Sequence, residues 1–574
     1  MRLEMVGPSH TMIVVVAHDD CPVNADNPVL SLPRAKGARY DARTRQNESG
    51  CLKDTRVDLL REFDRWVTDD DKDAPWMFVL QGLAGTGKST IAYTVCKLVE
   101  ERGWLGASFF FSRNDTSTSN PFLFFTTIAY QLAIKYPHFR HSLNEMLKTD
   151  PDVAGLTLDR QLEKLVVQPI RAVANSLGPT PVVVIVDGVD ECANYRAQIL
   201  ALLCTIRTQL PVSFKLFVSL RPEHDLQSLF SSLDTNLGAQ LFILHDVDAS
   251  VVRGDIERFL RFRLSRVAAG AKIDPSLWPS AEDVSDLAEK SHKLFIFAAT
   301  VVKFIEDTNV DPRSTLKSVM STTEETISAT RGGRRSPYEY LDRLYQQVIE
   351  CAFPHNATEH MFEHFRTVMG AVTLMYDTLA VHALSGLLHM EAREIRMALL
   401  GLHSLVIVPD DNNDIRLIHP SFRDFMTQRC PSAKRYFISP ADRHQQLALM
   451  CFKTMQENLK RDICDIQNTS LLNEEVEDLG VRIIACIPAH LQYACRHWAT
   501  HLSECQTDPG SMGNEVSLAL MQFASRHLLH WLEVLSLIGC LAEALPALRH
   551  TQDWLSVSQI LIEWVALAIL TMGS

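Results

Sequence analysis

The chain has 574 residues, a formal net charge of −13 and 46% hydrophobic residues. This composition is typical of a globular protein of several domains and excludes wholesale disorder. The negative charge argues against a nucleic-acid partner, because neutralising phosphates needs a basic surface and no basic run of that size is visible. The thirteen cysteines include no Cys-x-x-Cys pair. Reduced thiols and a cytoplasmic location are therefore expected, without structural disulfides.

No signal peptide and no membrane partner are predicted. The apolar run at residues 12–17 is too short for a signal sequence and is followed by His18–Asp20. The apolar run at residues 554–572 is interrupted by Gln559 and Glu563. Because charged groups are costly at bilayer depth, we expect a packed amphipathic helix there.

The N-terminal part of the chain is predicted to be an irregular segment followed by an α/β domain. Residues 1–50 are rich in Pro, Asn, Asp and Arg, which predicts an irregular, partly disordered lead-in. A helix is expected next, capped by Asp54 or Thr55. Residues 76–245 then alternate strand and helix patterns, which is typical of an α/β fold with a parallel sheet covered on both faces. We assign residues 51–245 to this domain.

One segment of this domain has the spacing of a phosphate-binding loop. Gly82–Ser89 reads GLAGTGKS and lies between the apolar strand pattern at Trp76–Leu80 and a helical pattern. The glycines Gly82, Gly85 and Gly87 let the backbone wrap a phosphate chain with its N–H groups turned inward. The motif predicts that a nucleoside triphosphate binds here.

Charged and hydroxyl side chains complete the predicted site. Lys88 would reach the β and γ phosphates, and Ser89 would offer its hydroxyl to Mg²⁺. A second apolar strand, expected beside the first, ends at Asp187, which would hold Mg²⁺ through water. The following acids Asp190 and Glu191 can polarise an attacking water, which makes them the hydrolytic candidates.

A third apolar strand pattern at Phe214–Ser219 is followed by Arg221. An always-charged planar guanidinium at a strand end suits a γ phosphate, either as a sensor or as a stabiliser of charge during transfer. The sequence therefore predicts that Arg221 lies beside the γ phosphate.

The rest of the chain is predicted to be mainly helical. Residues 246–325 carry helical patterns, and the Ser, Thr and Gly content of residues 314–337 suggests a linker. In residues 336–430, helices precede a strand pair around 405–408 and 415–418, which suggests a winged-helix-like domain. Residues 431–574 are expected to be entirely helical.

Taken in order, these residues resemble the NACHT-type signal-transducing P-loop NTPases of the STAND class. In particular, they resemble the fungal group described as nephrocystin-3-like at the N-terminal part and related to vegetative-incompatibility proteins. The resemblance extends from about residue 35 to about residue 430. Its landmarks are Gly37–Asp41, Cys51–Arg56, Phe109–Arg113, Asp187–Glu191 and His419–Asp424.

The resemblance implies a switch rather than a metabolic enzyme. In such a switch an ADP-bound closed monomer exchanges its nucleotide for ATP, opens and self-associates to bring unknown protein partners together, and slow hydrolysis resets it. The expected cofactors are ATP, ADP and Mg²⁺, and the preference for adenine comes from the resemblance alone. At most, the chain is a slow NTPase.

The resemblance also assigns residue roles. It implies that Thr90 joins the phosphate-binding residues and that Thr55 and Arg56 flank the base. Arg221 corresponds to a sensor arginine. His419, from the winged-helix segment, would contact the β phosphate of ADP and hold the closed form.

Two other functions fit the same motifs. An AAA-like ATPase with continuous turnover would use the same loop and acids to drive remodelling. A nucleotide-independent scaffold would retain a vestigial loop only for folding.

Overall fold

The computed structural model divides the chain into two compact units. One unit comprises residues 21–348, and the other comprises residues 349–574 with residues 1–20. The predicted domain boundaries inside these units stay predictions. The described residues are 27–45, 48–71, 74–177, 180–192, 195–205, 210, 213–223, 238–307, 310–324, 336–354, 356–409, 413–468, 471–505 and 513–558.

A five-stranded parallel sheet forms the centre of the first unit. The strand order is β2-β3-β4-β1-β5, and each neighbouring pair is parallel. This confirms the predicted α/β class, with helices covering the sheet and a largely helical region following it. The strands are β1 (Met77–Gln81), β2 (Leu105–Phe110), β3 (Val182–Asp187), β4 (Phe214–Leu220) and β5 (Ala239–Ile243).

The prediction that the acid-tipped strand neighbours β1 is wrong, because β4 lies between β1 and β3. Val218 of β4 pairs with Val79 of β1 and with Val186 of β3. Parallel strands are joined by long crossovers, so a strand that comes later in the chain can insert between two earlier ones. The loop and the acids therefore lie on either side of the end of β4.

The strands are buried because both faces of the sheet are covered. Every residue of β1, β3 and β4 is buried, as expected for parallel strands with near-continuous apolar sequence. On one face, Phe78 and Phe217 stack with ring centroids 5.8 Å apart and pack against Phe63 and Trp66 of α1. The helices from α1 to the end of the sheet are α1 (Val57–Thr68), α2 (Lys88–Glu101), α3 (Thr116–Ser119), α4 (Phe124–Lys135), α5 (Pro137–Thr149), α6 (Leu158–Gln161), α7 (Gln168–Leu177) and α8 (Arg196–Thr205).

The described part of the predicted lead-in, from residue 27 onward, is packed onto the sheet domain. Its local structure is short 3₁₀ turns, at Pro28–Ser31 and Lys36–Ala38 among others. The backbone N–H of Ala35 donates to Thr127 Oγ1 at 3.0 Å, and that of Tyr40 donates to Ser108 Oγ at 3.1 Å. This segment is irregular as predicted, but it is a buried part of the domain.

Helix α1 begins later than predicted. Its N-cap is Arg56, which has the left-handed φ of 56° and no side-chain capping bond. The predicted caps, Asp54 and Thr55, lie before the helix. The Thr55 hydroxyl donates instead to the Leu52 carbonyl at 2.6 Å. Asp54 also has a positive φ, of 64°. The chain makes a tight turn here, and Arg56 after it reaches the Thr86 carbonyl of the Gly82–Ser89 loop.

Helices follow the sheet in the remainder of the first unit. The predicted linker at residues 314–337 is wrong in its first part, because residues 312–324 form a helix with Leu316 and Val319 buried. Those two residues are three apart and face the same side of the helix. Residues 325–335 lie outside the described residues. The helices are α9 (Ala249–Gly270), α10 (Ala281–Lys290), α11 (Phe295–Asp307), α12 (Pro312–Glu324) and α13 (Glu339–Ala352), the last continuing into the second unit.

The described residues of the second unit are helical apart from one antiparallel pair of short strands. Strand β6 (Val406–Ile407) pairs with β7 (Arg416–Leu417), as the sequence predicted, although residues 410–412 of the turn are not described. Among the described residues, no helix is long and apolar enough to cross a membrane. The predicted C-terminal amphipathic helix falls largely on residues 559–574, outside the described residues. The helices are α14 (Glu359–Leu374), α15 (Val381–Leu388), α16 (Ala392–Ala398), α17 (Pro420–Asp424), α18 (Pro440–Asn458), α19 (Leu479–Cys486), α20 (Ala489–Ser503), α21 (Gly513–Arg526), α22 (Leu528–Leu537) and α23 (Ala544–Ser558).

A buried histidine cluster holds the core of the second unit together. His444 Nδ1 lies 2.8 Å from His501 Nδ1, and His501 Nε2 lies 2.7 Å from the Tyr493 hydroxyl. His497 Nε2 lies 2.7 Å from Asp377 Oδ2. Burial lowers the pKa of His444 to about 4 and holds the pKa of His501 well below 6.5. The His444 and His501 rings therefore act here as neutral hydrogen-bonding core residues.

Candidate functional site

The Gly82–Ser89 loop connects β1 to α2 at the carboxyl edge of the sheet. The N–H of Gly82 donates to the Leu220 carbonyl at 3.2 Å, which ties the start of the loop to β4. A Cβ on Gly82 would lie 2.7 Å from Thr86 Oγ1, so a larger residue has no room. Gly87 has a φ of 93°, a backbone conformation that residues other than glycine rarely adopt. Lack of space thus requires glycine at Gly82, and the positive φ requires it at Gly87.

Helix α2 begins at Lys88, directly after the loop. Lys88 Nζ donates to the carbonyls of Gly82 at 2.9 Å and Leu83 at 3.1 Å, so the ammonium group lies inside the loop. Burial lowers the Lys88 pKa, opposed by the nearby carboxylates. Ser89 and Thr90 are exposed on the first turn of α2. This helix N-terminus offers unpaired N–H groups and a positive dipole end, which suit an anion.

Asp187 ends β3 beside this helix. Its carboxylate accepts a hydrogen bond from the Ser219 hydroxyl, and the Ser89 hydroxyl lies close enough to lower the Asp187 pKa. Burial raises the Asp187 pKa, and the two hydroxyls partly offset that rise. The predicted Mg²⁺ pair, Ser89 and Asp187, is therefore together in the fold. Ser219, at the end of β4, was not predicted as a site residue.

The two acids that follow β3 form a cluster with Arg221. Asp190 Oδ1 accepts from the backbone N–H of Arg221 at 3.0 Å, and Arg221 Nε lies 3.1 Å from Asp190 Oδ2. Arg221 Nη2 is 3.9 Å from Glu191 Oε1. Burial and the neighbouring Asp190 raise the Glu191 pKa, so its carboxyl takes up a proton more readily than usual.

A second arginine, missed by the residue-by-residue reasoning, joins this cluster. Arg113 Nη2 donates to the Asp190 carbonyl at 2.8 Å, and the Arg113 N–H donates to Glu191 Oε2 at 3.3 Å. It also lies 3.4 Å from Glu223, which pairs with Arg196. The landmark Phe109–Arg113 contains it, although the strand itself, β2, ends at Phe110, so Arg113 lies three residues beyond the strand end.

Thr55 and Arg56, predicted to flank a base, are buried beside the loop. Arg56 Nη2 donates to the Thr86 carbonyl at 2.7 Å, and its guanidinium lies 4.6 Å from the centroid of the Phe295 ring. The Arg56 N–H donates to Asp255 Oδ2 at 2.9 Å. Arg56 therefore holds the loop against helices α9 and α11. A direct contact with a base stays a prediction.

His419 belongs to the second unit, where it caps the short helix α17. Its Nδ1 accepts from the Ser421 N–H at 3.1 Å and lies 2.7 Å from Ser421 Oγ. Because Nδ1 is an acceptor, the neutral ring carries its proton on Nε2. The implied contact with a β phosphate stays a prediction.

The residues present fit a magnesium-bound nucleotide. Hydroxyl and carboxylate oxygens, such as those of Ser89 and Asp187, are the ligands that Mg²⁺ prefers. The loop supplies backbone donors and the Lys88 ammonium for the phosphates. Arg221 adds a second positive charge near the acids. The chemistry of this donor set matches a phosphate chain with its metal ion.

A parallel sheet whose β1 runs through this loop into α2, with acids at the end of β3, defines an α/β P-loop NTPase domain. Comparison with known proteins agrees with that class. Residues 56–221 match the family model described as Nephrocystin 3, N-terminal. The chain is 22% identical over 568 residues to "Vegetative incompatibility protein HET-E-1" of Podospora anserina, an alignment that covers 93% of this chain and 38% of that protein. These findings confirm the resemblance predicted from the sequence.

Proposed function

We propose that the chain is an ATP- and ADP-binding switch of the NACHT type with slow NTPase activity. The observation that carries this proposal is the convergence of Lys88, Ser89, Asp187 and the Arg221 cluster at one edge of a P-loop sheet. The family match over residues 56–221 supports it.

The phosphate-binding roles follow from the local geometry. Gly82, Gly85 and Gly87 give the loop the shape that exposes its N–H groups, and Lys88 supplies charge to the β and γ phosphates. Ser89 and Asp187 would hold Mg²⁺, which neutralises charge on the phosphates when it is bound.

For hydrolysis we assign the role of water-polarising base to Glu191 ahead of Asp190. Arg221 Nε lies 3.1 Å from the Asp190 carboxylate, whereas its Nη2 is 3.9 Å from that of Glu191. Glu191 keeps a raised pKa and hence a greater affinity for a proton. A carboxylate that readily accepts a proton is suited to drawing one from water. Arg221 is paired with the acids Asp190 and Glu191. Its guanidinium would have to turn from these carboxylates toward the γ phosphate for catalysis, which is consistent with slow turnover.

The switch itself is inferred from the relatives. The printed name of the Podospora anserina relative concerns vegetative incompatibility, which supports a signalling or incompatibility role. Exchange of ADP for ATP would then control opening and self-association, with protein partners not yet identified. His419 would stabilise the ADP-bound form through Nε2–H.

Turnover and ADP release separate a switch from a motor. We would measure steady-state ATP hydrolysis by the full-length chain together with the dissociation rate of fluorescent ADP. A switch is expected to release ADP slowly and to hydrolyse ATP no faster than it releases ADP. Lys88→Ala is the control that removes phosphate binding. Sustained turnover with rapid ADP release would support the AAA-like alternative, and nucleotide-insensitive partner binding would support the scaffold.

A further inference from the structure

Two residues of the loop are bound by helical segments far away in the sequence. The Ala84 N–H donates a hydrogen bond to the Tyr338 hydroxyl at 3.2 Å. The Ile296 N–H, on the first turn of α11, donates to the Gly85 carbonyl at 3.1 Å. The conformation of the loop is therefore coupled to the starts of α11 and α13.

The position of Tyr338 is set by its own backbone. Its N–H donates to Ser336 Oγ at 3.2 Å, and its carbonyl accepts from the Asp342 N–H at 2.8 Å. These bonds anchor it immediately before α13. The hydroxyl consequently reaches the loop from a residue whose backbone is fixed at the start of a helix.

The bonded N–H lies close to the ammonium group expected to bind the outer phosphates. The N–H groups at the start of α2, near Lys88 and Ser89, suit the inner phosphates of a bound nucleotide. Lys88 Nζ, which would reach the β and γ phosphates, donates to the carbonyl of Leu83, the residue before Ala84, at 3.1 Å. A γ phosphate held by this ammonium group would therefore lie near the Ala84 N–H. Since an amide has a single hydrogen to donate, a γ-phosphate oxygen and the Tyr338 hydroxyl compete for it.

We propose that Tyr338 is the positioning residue by which this site distinguishes a nucleoside diphosphate from a triphosphate. The inference rests on the proposed function, because it requires nucleotide binding at the loop. With a diphosphate, the hydroxyl satisfies the Ala84 N–H and keeps the start of α13 on the loop. A triphosphate replaces the hydroxyl with a charged oxygen and releases that contact.

The test compares nucleotide affinities of the nucleotide-stripped full-length chain and its Tyr338→Phe variant. Binding of ADP and of the slowly hydrolysed analogue ATPγS is measured by titration in the presence of Mg²⁺. The wild type loses the tyrosine bond on binding ATPγS, and the variant has no such bond to lose. ATPγS should therefore bind the variant about threefold to tenfold more tightly, the range expected for one neutral hydrogen bond. ADP affinity should stay within about twofold, which also shows that the variant is folded.

Tyr340→Phe is the matched control, because Tyr340 begins the same helix but its ring lies 4.9 Å from His292 and not on the loop. It should change neither affinity. An unchanged or weakened ATPγS affinity in Tyr338→Phe, with ADP binding intact, would overturn the inference and leave the proposed function standing. A wild type that binds neither nucleotide would overturn both.

Discussion

Replacing Arg221 with alanine removes the cation that pairs with the Asp190 side chain in a buried acidic cluster. The Asp190 side chain is 1% exposed and the Arg221 side chain 16% exposed, with Arg221 Nε 3.1 Å from Asp190 Oδ2. Breaking a buried pair by removing one partner costs about 3 to 5 kcal/mol, because the remaining carboxylate is left without its counter-charge. The Arg221 backbone N–H still reaches Asp190 in the variant. We therefore expect the lower end, about 3 kcal/mol of the free energy of unfolding.

Hydrogen exchange read by mass spectrometry measures this loss in the sheet itself. Peptides covering β3 and β4 should lose protection by roughly a hundredfold in Arg221→Ala, since exchange of core strands tracks the free energy of opening. Arg102→Gln is the matched control, because Arg102 pairs with Asp64 at 2.6 Å on the surface. That exposed pair should be worth less than about 1 kcal/mol.

A second variant separates charge imbalance from lost packing. Arg221→Met combined with Asp190→Asn removes both charges and should recover at least half of the lost protection. Protection in Arg221→Ala equal to that of Arg102→Gln would refute the reasoning, because Arg221 would then be a solvated strand-end residue.

Two further predictions concern the loop and the second unit. Gly82→Ala should weaken ADP binding at least about tenfold, because its Cβ would meet a side-chain oxygen of the loop at 2.7 Å. Gly155→Ala, with open space around it and no positive φ, should leave ADP affinity unchanged in the same titration. Burial lowers the His444 pKa from 6.5 to about 4, so stability is complete above pH 6.5 and is lost as pH falls toward 4. This loss amounts to about 2 kcal/mol at pH 5. Thermal melts at pH 7 and pH 5 should show a smaller pH effect in His444→Gln than in the wild type, whereas exposed His360→Gln should behave like the wild type; equal pH effects in both variants would contradict the assignment.

The sequence was sufficient to predict the elements that carry the site. The strands leading to Gly82 and Asp187 are near-continuous apolar runs, and the loop between β1 and α2 has a spacing that few other structures require. For the same reason the meeting of Ser89 with Asp187 could be expected, since the carboxyl ends of parallel strands share one edge.

Strand order and long-range contacts were not predictable from local patterns. The sequence of a crossover connection does not indicate which strands will become neighbours. The insertion of β4 between β1 and β3 therefore could be seen only in the structure. The bond from Ala84 to Tyr338 joins residues 254 positions apart. Arg113 lies three residues after the end of β2, and Ser219 is the next-to-last residue of β4. A polar residue at or just beyond the carboxyl end of a strand is a signal that could have indicated both.

The packing of the N-terminal segment was missed although a pattern was present. Val29, Leu32, Ala35 and Ala38 are spaced three apart and all are buried. Three-residue spacing places side chains on one side of 3₁₀ turns, a weaker and shorter signal than helical or strand periodicity. The polar composition between them favoured an irregular lead-in.

The central claim is that the loop holds a nucleotide, and the nucleotide content of the purified chain tests it most directly. The protein is denatured and the supernatant is separated by ion-exchange chromatography beside a Lys88→Ala control. The proposal predicts ADP at about one equivalent per wild-type chain and none in the control. Equal nucleotide content in the two proteins, or none in either after purification with Mg²⁺, would contradict a locked nucleotide switch.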